Sequence, residues 1–297
     1  MRYRDLERDL ISILSASPEV GAASSEARLI IFYLLKNHGF DPEHLTNLSP
    51  PLEELDANGF LKLSEEALNL ADSRRSGRLL QHLLGKQYFL NHEYSVSPAV
   101  LIPRPETEIL ATHTVDWARR VSTQRPLRFA ELGLGSGVPS CELLSGVPAA
   151  SGVASEASPD AITLARTNLS RIVGSDYESR LQILQVSNAM SGFEVFLPHS
   201  PFDLIVSNPP YVSPDDPIEA QVIREEPHAA LFAAGPVNHF YESFALHGRS
   251  LLATGGKAAF EIPHERHSEI TALFEHAGFR VECLPDLTGR PRVLILE

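Results

Sequence analysis

The residues with the clearest chemistry form the tetrapeptide Asn208-Pro209-Pro210-Tyr211, which directly follows an apolar run at residues 203–207. An amide or amine NH₂ group can donate one hydrogen bond to the Asn208 side-chain oxygen and a second to the Pro209 carbonyl. The two prolines fix the local backbone and leave no ring N–H to compete for these acceptors. Tyr211 can pack on the face of a planar amide. The tetrapeptide therefore predicts a site that orients a nitrogen nucleophile, with Asn208, Pro209 and Tyr211 as its catalytic residues.

A glycine-rich turn at residues 133–137 directly follows an apolar run at residues 127–132. Glycines let the backbone turn sharply and approach a ligand closely. The Gly-x-Gly-x-Gly spacing lacks the later glycine of the dinucleotide fingerprint, and it lacks the Lys-Ser/Thr ending of a P-loop. Glu131 precedes the turn, and its carboxylate suits a cationic ligand such as the amino group of a sulfonium amino acid.

Glu156 ends the next apolar run, residues 152–156. A carboxylate at the end of such a strand can accept hydrogen bonds from both hydroxyls of a ribose. The alternative is a charged residue that only precedes the helix beginning near Ser158-Pro159-Asp160. Together with the glycine-rich turn, Glu156 favours a cofactor that contains a nucleoside.

The elements that must position these residues alternate between strands and helices. Strands are predicted at residues 127–132, 152–156, 181–186, 203–207, 257–262, 280–284 and 292–296, and helices at 106–121, 159–171, 237–252 and 265–277. Such alternation predicts an α/β fold, in which helices cover both faces of a mainly parallel sheet. The short loop at residues 285–291 indicates that one edge strand runs antiparallel. Seven strands in this arrangement are typical of a Rossmann-like class I methyltransferase domain.

The first 85 residues have the pattern of a small helical bundle. One apolar face is formed at helical spacing by Leu6, Leu10, Ile13 and Leu14. Further helices are predicted from residue 24 to Gly39, at residues 64–71 and at residues 77–84. We therefore predict a helical domain at residues 1–85, a β-hairpin and linker at 86–105, and the sheet domain at 106–297.

The composition narrows the class of protein and of ligand. The formal net charge of −13 disfavours a nucleic-acid partner, because binding to phosphates usually needs a basic surface. No apolar run approaches the roughly 20 residues of a membrane span, and the first residues lack a signal-peptide core. Cys141 and Cys283 give no disulfide framework. His264 and His267 have no further ligands at convincing metal spacing. We expect a cytoplasmic protein with no membrane partner and no metal.

These motifs resemble those of the HemK/PrmC family, the glutamine N5-methyltransferases that modify peptide chain release factors. The similarity covers nearly the whole chain, and its most specific part is the linker sequence Leu-Ile-Pro-Arg-Pro-Glu-Thr-Glu at residues 101–108. Residues 83–85 and 286–293 also resemble family landmarks. The resemblance implies S-adenosylmethionine as methyl donor, S-adenosylhomocysteine as product and a release factor as protein substrate. It also implies that the helical domain recognises the substrate.

The resemblance assigns a role to each part of the site. The implied cofactor-binding residues are Glu131, Gly133, Leu134, Gly135, Ser136, Gly137, Glu156, Asn188, Ala189 and Asn208. The implied substrate-binding residues, for the glutamine amide, are Asn208, Pro209, Pro210 and Tyr211. The chain also departs from the family pattern. Asn188-Ala189 stands where the family has an acidic-aromatic pair at the adenine, Glu131 replaces the commoner aspartate, and Pro139 follows the turn.

Other functions are compatible with the same residues. Exocyclic amines of nucleic-acid bases, or the amine of a small metabolite, would also fit the tetrapeptide. A nucleic-acid methyltransferase would need clustered Lys and Arg side chains near Tyr211. The changes at Asn188-Ala189 and Pro139 leave open a degenerate, non-enzymatic member of the cofactor-binding fold that acts as a partner protein. Failure to bind S-adenosylmethionine would favour this class.

Overall fold

The computed structural model describes residues 3–40, 57–187, 193–233 and 235–297. Contacts between residues divide the chain into two compact units. Unit 1 consists of Met1–Gly85 together with Glu219–Glu225, and unit 2 consists of Lys86–Ile218 together with Glu226–Glu297. Within the described ranges, no helix has the length and apolar character needed to cross a membrane.

Unit 1 is built from helices. Its helices are α1 (Tyr3–Ser15), α2 (Ala23–Asn37), α3 (Ala57–Arg75), α4 (Leu80–Leu84) and, later in the chain, α9 (Ala220–Glu225). The predicted apolar face of α1 is confirmed for Leu6, Leu10 and Leu14, which are fully buried in the core of the bundle. The prediction that α4 begins at residue 77 is wrong, because Gly77 has a φ of +96° and follows the end of α3.

Arg74 on α3 connects the two chain segments of unit 1. Its side chain is 5% exposed. The Nε and Nη2 atoms donate to the Glu26 carboxylate, with N···O distances of 2.7 and 3.1 Å. The Nη1 atom donates to Gln221 Oε1 on α9 at 3.0 Å. A bidentate pair of this kind combines charge with directional hydrogen bonds, so Arg74 fixes α9 to the bundle.

Unit 2 contains a β-hairpin and a seven-stranded sheet, as the sequence predicts. The strands are β1 (Lys86–Phe89), β2 (His92–Ser95), β3 (Leu127–Leu132), β4 (Ala150–Glu156), β5 (Leu181–Gln185), β6 (Phe202–Ser207), β7 (Leu252–Glu261), β8 (Val281–Pro285) and β9 (Pro291–Leu296). The first two form the hairpin, and the order in the sheet is β5-β4-β3-β6-β7-β9-β8. Five strands from β5 to β7 are parallel neighbours.

The prediction that one edge strand runs antiparallel is partly wrong. The antiparallel strand is β9, but it lies between β7 and β8, and the edge strand is β8. The short connection at residues 286–290 reverses the chain after β8. This reversal returns β9 to the place beside β7, where Ala259 is aligned with Ile295. The pairing of β9 with two strands therefore buries it.

Helices cover both faces of this sheet. They are α5 (Thr107–Ser122), α6 (Val138–Gly146), α7 (Pro159–Ile172), α8 (Tyr177–Arg180), α10 (His228–Leu231), α11 (His239–Leu251) and α12 (His267–His276), with 3-10 helices at Phe193–His199 and His264–Arg266. Successive residues of a strand point to opposite faces. Accordingly, Phe129 of β3 packs with α5, α6 and α7, whereas Ala130 packs with the aromatic cluster of α11 and α12.

The start of α7 gives a first testable prediction. Ser158 is its N-cap, and the side-chain oxygen accepts a hydrogen bond from the Ala161 N–H at 3.2 Å. We expect Ser158→Ala to lower the free energy of unfolding by about 1 kcal/mol in urea titrations, because an orphan N–H loses its acceptor. Thr163→Ala on the same helix, an exposed site, is the control and should have almost no effect. Equal effects of the two changes would contradict the capping role.

Candidate active site

A cavity of about 560 Å³ lies at the carboxyl ends of β3, β4 and β6. Its volume is within the range of roughly 300–1,000 Å³ found for small-molecule sites. Ligands of open parallel sheets bind at this edge, where the strand order reverses, here between β3 and β6. The cavity brings together part of the predicted site, namely Glu131, Gly133, Leu134, Gly135, Ser136, Glu156, Asn208 and Pro210.

The glycine-rich turn between β3 and α6 has a backbone that favours glycine. Gly133, Gly135 and Gly137 have φ angles of 75°, 53° and 84°, where a Cβ atom is disfavoured. The N–H of Gly133 donates to the Ser155 carbonyl of β4 at 3.1 Å. At Gly137, an added Cβ would lie 3.4 Å from the Cβ of Ala165 on α7. The turn is therefore fixed both to the sheet and against α7.

Asn168 on α7 holds the same turn, and the sequence analysis missed it. The side chain is fully buried. Its Nδ2 donates to the carbonyl oxygens of Ser136, at 2.9 Å, and Ser95, at 3.0 Å. Its Oδ1 accepts from the Ser95 N–H at 2.8 Å. A signal was present in the sequence, because Asn168 is a polar residue on the buried face that α7 forms with Ala161 and Ala165.

Glu131 lies at the wall of the cavity but is almost completely buried, with 1% of its surface exposed. Its Oε2 accepts from the Ser140 N–H at 3.0 Å and also from the Ser140 hydroxyl. Glu131 thus provides an acceptor for an N–H in the first turn of α6. Pro139 lies in that same turn, where its missing N–H has no consequence. Burial raises the pKa of Glu131 to about 8, although the hydrogen bonds from Ser140 oppose this shift.

The raised pKa of Glu131 predicts a dependence of stability on pH. Because the pKa is higher in the folded than in the unfolded chain, the protonated form stabilises the fold at low pH, and this stability is lost as pH rises towards about 8. Glu131→Gln imitates the protonated form. We expect the variant to gain on the order of 1 kcal/mol or more over the wild type between pH values of about 5 and about 9, in urea titrations without ligand.

The matched control for this prediction is Glu275→Gln on α12, an exposed site. Its free energy of unfolding should follow that of the wild type at both pH values. A constant difference between Glu131→Gln and the wild type would show that Glu131 is ionised throughout this range.

Glu156 ends β4 and lines the cavity. Its Oε2 accepts from the Gly135 N–H at 2.8 Å. Its Oε1 accepts from the N–H groups of Ala157, at 2.7 Å, and Ser158, at 2.9 Å. The carboxylate therefore joins the middle of the glycine-rich turn to the start of α7. A carboxylate offers about four lone-pair directions, two on each oxygen. The two bonds to Oε1 and the one bond to Oε2 therefore leave one acceptor position, on Oε2, for a ligand.

The tetrapeptide follows β6 and is held by the hydroxyl group of Thr107 and the carboxylate of Glu261. Asn208 Nδ2 donates to Thr107 Oγ1 at 3.2 Å. The Tyr211 hydroxyl donates to Glu261 Oε1 at 2.9 Å, and burial together with Glu261 raises the pKa of Tyr211 well above its usual value. Within the part of the chain that the structure describes, the cavity wall includes Asn208 and Pro210 but neither Pro209 nor Tyr211.

An ion pair between Arg104 and Glu226 lies beside the cavity. The Glu226 side chain is fully buried, its Oε1 accepts from the Ile102 N–H at 2.8 Å, and its Oε2 accepts from the Arg104 guanidinium. Burial raises the pKa of Glu226, and the charge of Arg104 opposes the shift. The pair joins the linker to the segment that supplies Pro227 and Phe232 to the cavity.

The contacts described above do not test the predicted adenine contacts or the expectation that the site holds no metal. Asn188 and Ala189, the predicted adenine contacts, lie outside the described residues, although the preceding Ser187 lines the cavity. Among the residues that the structure describes, no group of three or more His, Cys, Asp or Glu side chains is arranged to hold a metal ion. His264 is paired with Glu265, its neighbour in sequence.

Comparison with known proteins gives relatives over the whole chain. The release factor glutamine methyltransferase of Cereibacter sphaeroides is 31% identical over 298 residues, which are 99% of this chain and 98% of the relative. The bifunctional methyltransferase of Rickettsia felis is 30% identical over 309 residues, which are 94% of this chain but 55% of the relative. The chain thus spans about half the length of that relative. No family model matches the chain.

Solved structures agree on the fold. The catalytic domain of hMettl16, in complex with the MAT2A 3'UTR hairpin 1, matches with a TM-score of 0.52 and 13% identity, over 77% of this chain and 80% of the other. At this identity the match shows only the class I methyltransferase fold of the sheet. The sequence relatives are more specific, because the Cereibacter sphaeroides enzyme matches end to end. The chain belongs to the family of release factor glutamine methyltransferases.

Proposed function

We propose that the chain transfers the methyl group of S-adenosylmethionine to the side-chain amide nitrogen of a glutamine in a peptide chain release factor. The observation that carries this proposal is the position of Asn208, which lines the same cavity as the glycine-rich turn and Glu156. An acceptor for an amide NH₂ group is thereby next to residues suited to a nucleoside cofactor. The name of the Cereibacter sphaeroides relative agrees with this activity. Unit 1 is proposed to bind the release factor.

The residues of the cavity fit S-adenosylmethionine. Glu156 Oε2 can accept a hydrogen bond from a ribose hydroxyl, while the bonds from backbone N–H groups keep the carboxylate in place. The positive φ angles of Gly133 and Gly135 allow the backbone to approach the ligand without a Cβ atom between them. Glu131 is proposed to pair with the cationic amino group of the amino-acid part, whose positive charge would favour the ionised form of this buried carboxyl group. When bound, S-adenosylmethionine supplies an electrophilic methyl carbon on a positively charged sulfur.

The residues after β6 are proposed to present the nucleophile. Asn208 Oδ1 and the Pro209 carbonyl accept the two N–H bonds of the glutamine amide, and Tyr211 packs on its planar face. The amide nitrogen forms a bond to the methyl carbon, the carbon–sulfur bond breaks, and its electron pair stays on sulfur. The nitrogen would then release one proton to solvent water, and the products would be N5-methylglutamine and S-adenosylhomocysteine. Orientation of the nitrogen is the main contribution of the chain to the rate.

The proposal is tested by incubating the purified chain with radiolabelled S-adenosylmethionine and the release factors of the same cell. We expect label on a glutamine of the release factor, located by mass spectrometry of its peptides. A release factor with that glutamine replaced by glutamate is the matched control and should remain unlabelled. Binding of S-adenosylmethionine without label on any release factor would contradict the proposed substrate. Nucleic acids and small amines would then be tested as acceptors.

A further inference from the structure

The carboxylate of Glu261, at the end of β7, accepts hydrogen bonds from two hydroxyl groups. Its Oε2 lies 2.7 Å from Thr107 Oγ1, and its Oε1 lies 2.9 Å from the Tyr211 hydroxyl. Glu261 is 1% exposed and Thr107 is 4% exposed. The backbone carbonyl of Glu261 also accepts from the Tyr241 hydroxyl at 2.9 Å. Glu261 is therefore held inside the protein and touches the last residue of the tetrapeptide.

The direction of these hydrogen bonds determines whether the Thr107 hydroxyl accepts a hydrogen bond from Asn208 or donates one to it. An ionised carboxylate only accepts, so the Thr107 hydroxyl donates its proton to Glu261 when Glu261 is ionised. The Thr107 oxygen is then left to accept, and Asn208 Nδ2 lies 3.2 Å from it. The amide of Asn208 is therefore oriented with its nitrogen towards Thr107. Its oxygen, Oδ1, is the end that remains to accept a hydrogen bond from a ligand.

Through these hydrogen bonds, the carboxylate of Glu261 is connected to both ends of the tetrapeptide. Asn208 is tied to Glu261 through Thr107, and Tyr211 is tied to it directly. Burial raises the pKa of Glu261, whereas the two hydroxyl donors and the nearby charge of Arg292 favour its ionised form. Thr107 begins α5, so this helix is part of the support of the tetrapeptide.

We propose that Thr107 and Glu261 are positioning residues that present the Asn208 oxygen, and not its NH₂ group, to the substrate. A site with this orientation selects a primary carboxamide, which donates hydrogen bonds, over a carboxylate, which only accepts them. The chain would thereby distinguish glutamine from glutamate at the reacting position. The inference rests on the proposed function, because it takes Asn208 as the residue that binds the substrate nitrogen.

The test compares Thr107→Val, which removes the hydroxyl but keeps a similar shape, with Thr107→Ser, which retains the hydroxyl. We expect Thr107→Val to lower kcat for methylation of the release factor by roughly 10- to 100-fold, with the Kd for S-adenosylmethionine unchanged. Thr107→Ser should restore most of the turnover. The glutamate variant of the release factor should inhibit Thr107→Val more strongly than the wild type, because a freed Asn208 amide can turn its NH₂ group to a carboxylate.

A second measurement does not depend on the substrate. The side-chain NH₂ resonances of Asn208 in ¹⁵N-labelled protein are identified by their loss in Asn208→Ala. We expect them to shift in Thr107→Val and to stay close to the wild type in Thr107→Ser. Unchanged resonances and unchanged turnover in Thr107→Val would overturn the inference. If the wild type methylates no release factor, the proposed function fails, and the resonances alone decide whether Thr107 orients Asn208.

Discussion

Replacing Asn208 with alanine is expected to lower kcat for methyl transfer roughly 100- to 1,000-fold, with little change in the Kd for S-adenosylmethionine. Asn208 lines the cavity, and its amide is held by Thr107. Alanine removes the acceptor that fixes the substrate nitrogen, so the nitrogen loses its alignment with the methyl carbon. The glycine-rich turn and Glu156 have contacts of their own, so the variant should still bind the cofactor.

Single-turnover rates with the release factor, together with calorimetric titration of S-adenosylmethionine, measure the two effects separately. Asn91→Ala, in the exposed turn between β1 and β2, is the matched control and should behave as the wild type. Turnover of Asn208→Ala equal to that of the wild type would refute the assigned role. A loss of cofactor binding as large as the loss of turnover would instead place Asn208 in the cofactor site.

Replacing Glu156 with glutamine is expected to weaken binding of S-adenosylmethionine by roughly 10- to 100-fold, the usual effect of losing a hydrogen bond to a charged group. Both oxygens of Glu156 accept backbone N–H bonds, one from Gly135 and one from Ala157 and Ser158. A glutamine side chain has one acceptor oxygen and one NH₂ group. The NH₂ group of the glutamine would therefore face backbone N–H donors, either that of Gly135 or those of Ala157 and Ser158. The ribose would also lose a charged acceptor.

Calorimetric titration of S-adenosylmethionine into the variant measures this effect. Glu178→Gln, on the exposed surface of α8, changes the same charge away from the cavity and should leave the Kd unaltered. A Kd for Glu156→Gln within the error of the wild type would mean that Glu156 only shapes the turn. The ribose would then have to be bound by other residues of the cavity wall.

The sequence predicts the elements of unit 2 well, because most of them carry their own signal. Strand β3 has the predicted bounds Leu127–Leu132, since its apolar run ends at a glycine-rich turn. The order of the strands in the sheet is harder to predict, because an apolar run contains no information about which strand pairs with it. The place of β9 between β7 and β8 depends on how the hairpin folds back. Its antiparallel direction could be predicted, but its position in the order could not.

The residues that hold the candidate site in place are also difficult to predict from the sequence. The tetrapeptide and the glycine-rich turn are visible in the sequence because each is a local motif. Glu131 precedes the turn and suggests a ligand contact, yet its partner Ser140 emerges only when α6 packs on the sheet. Thr107 and Glu261 are far from Asn208 in sequence, and they meet it because β6 and β7 are adjacent and α5 lies against them. Contacts of this kind follow from the fold.

Unit 1 is formed by two separate segments of the chain. This division limits how the helical unit can be exchanged with another protein. The chain leaves unit 2 at Ile218, supplies Glu219–Glu225 to unit 1 and returns at Glu226. A chimera that takes only residues 1–85 of this chain into another protein would carry Arg74 without the Gln221 that accepts its hydrogen bond. Recombination at a single boundary would thus leave a buried donor unmatched. The helical unit is transferable only as two pieces, and those pieces must change together.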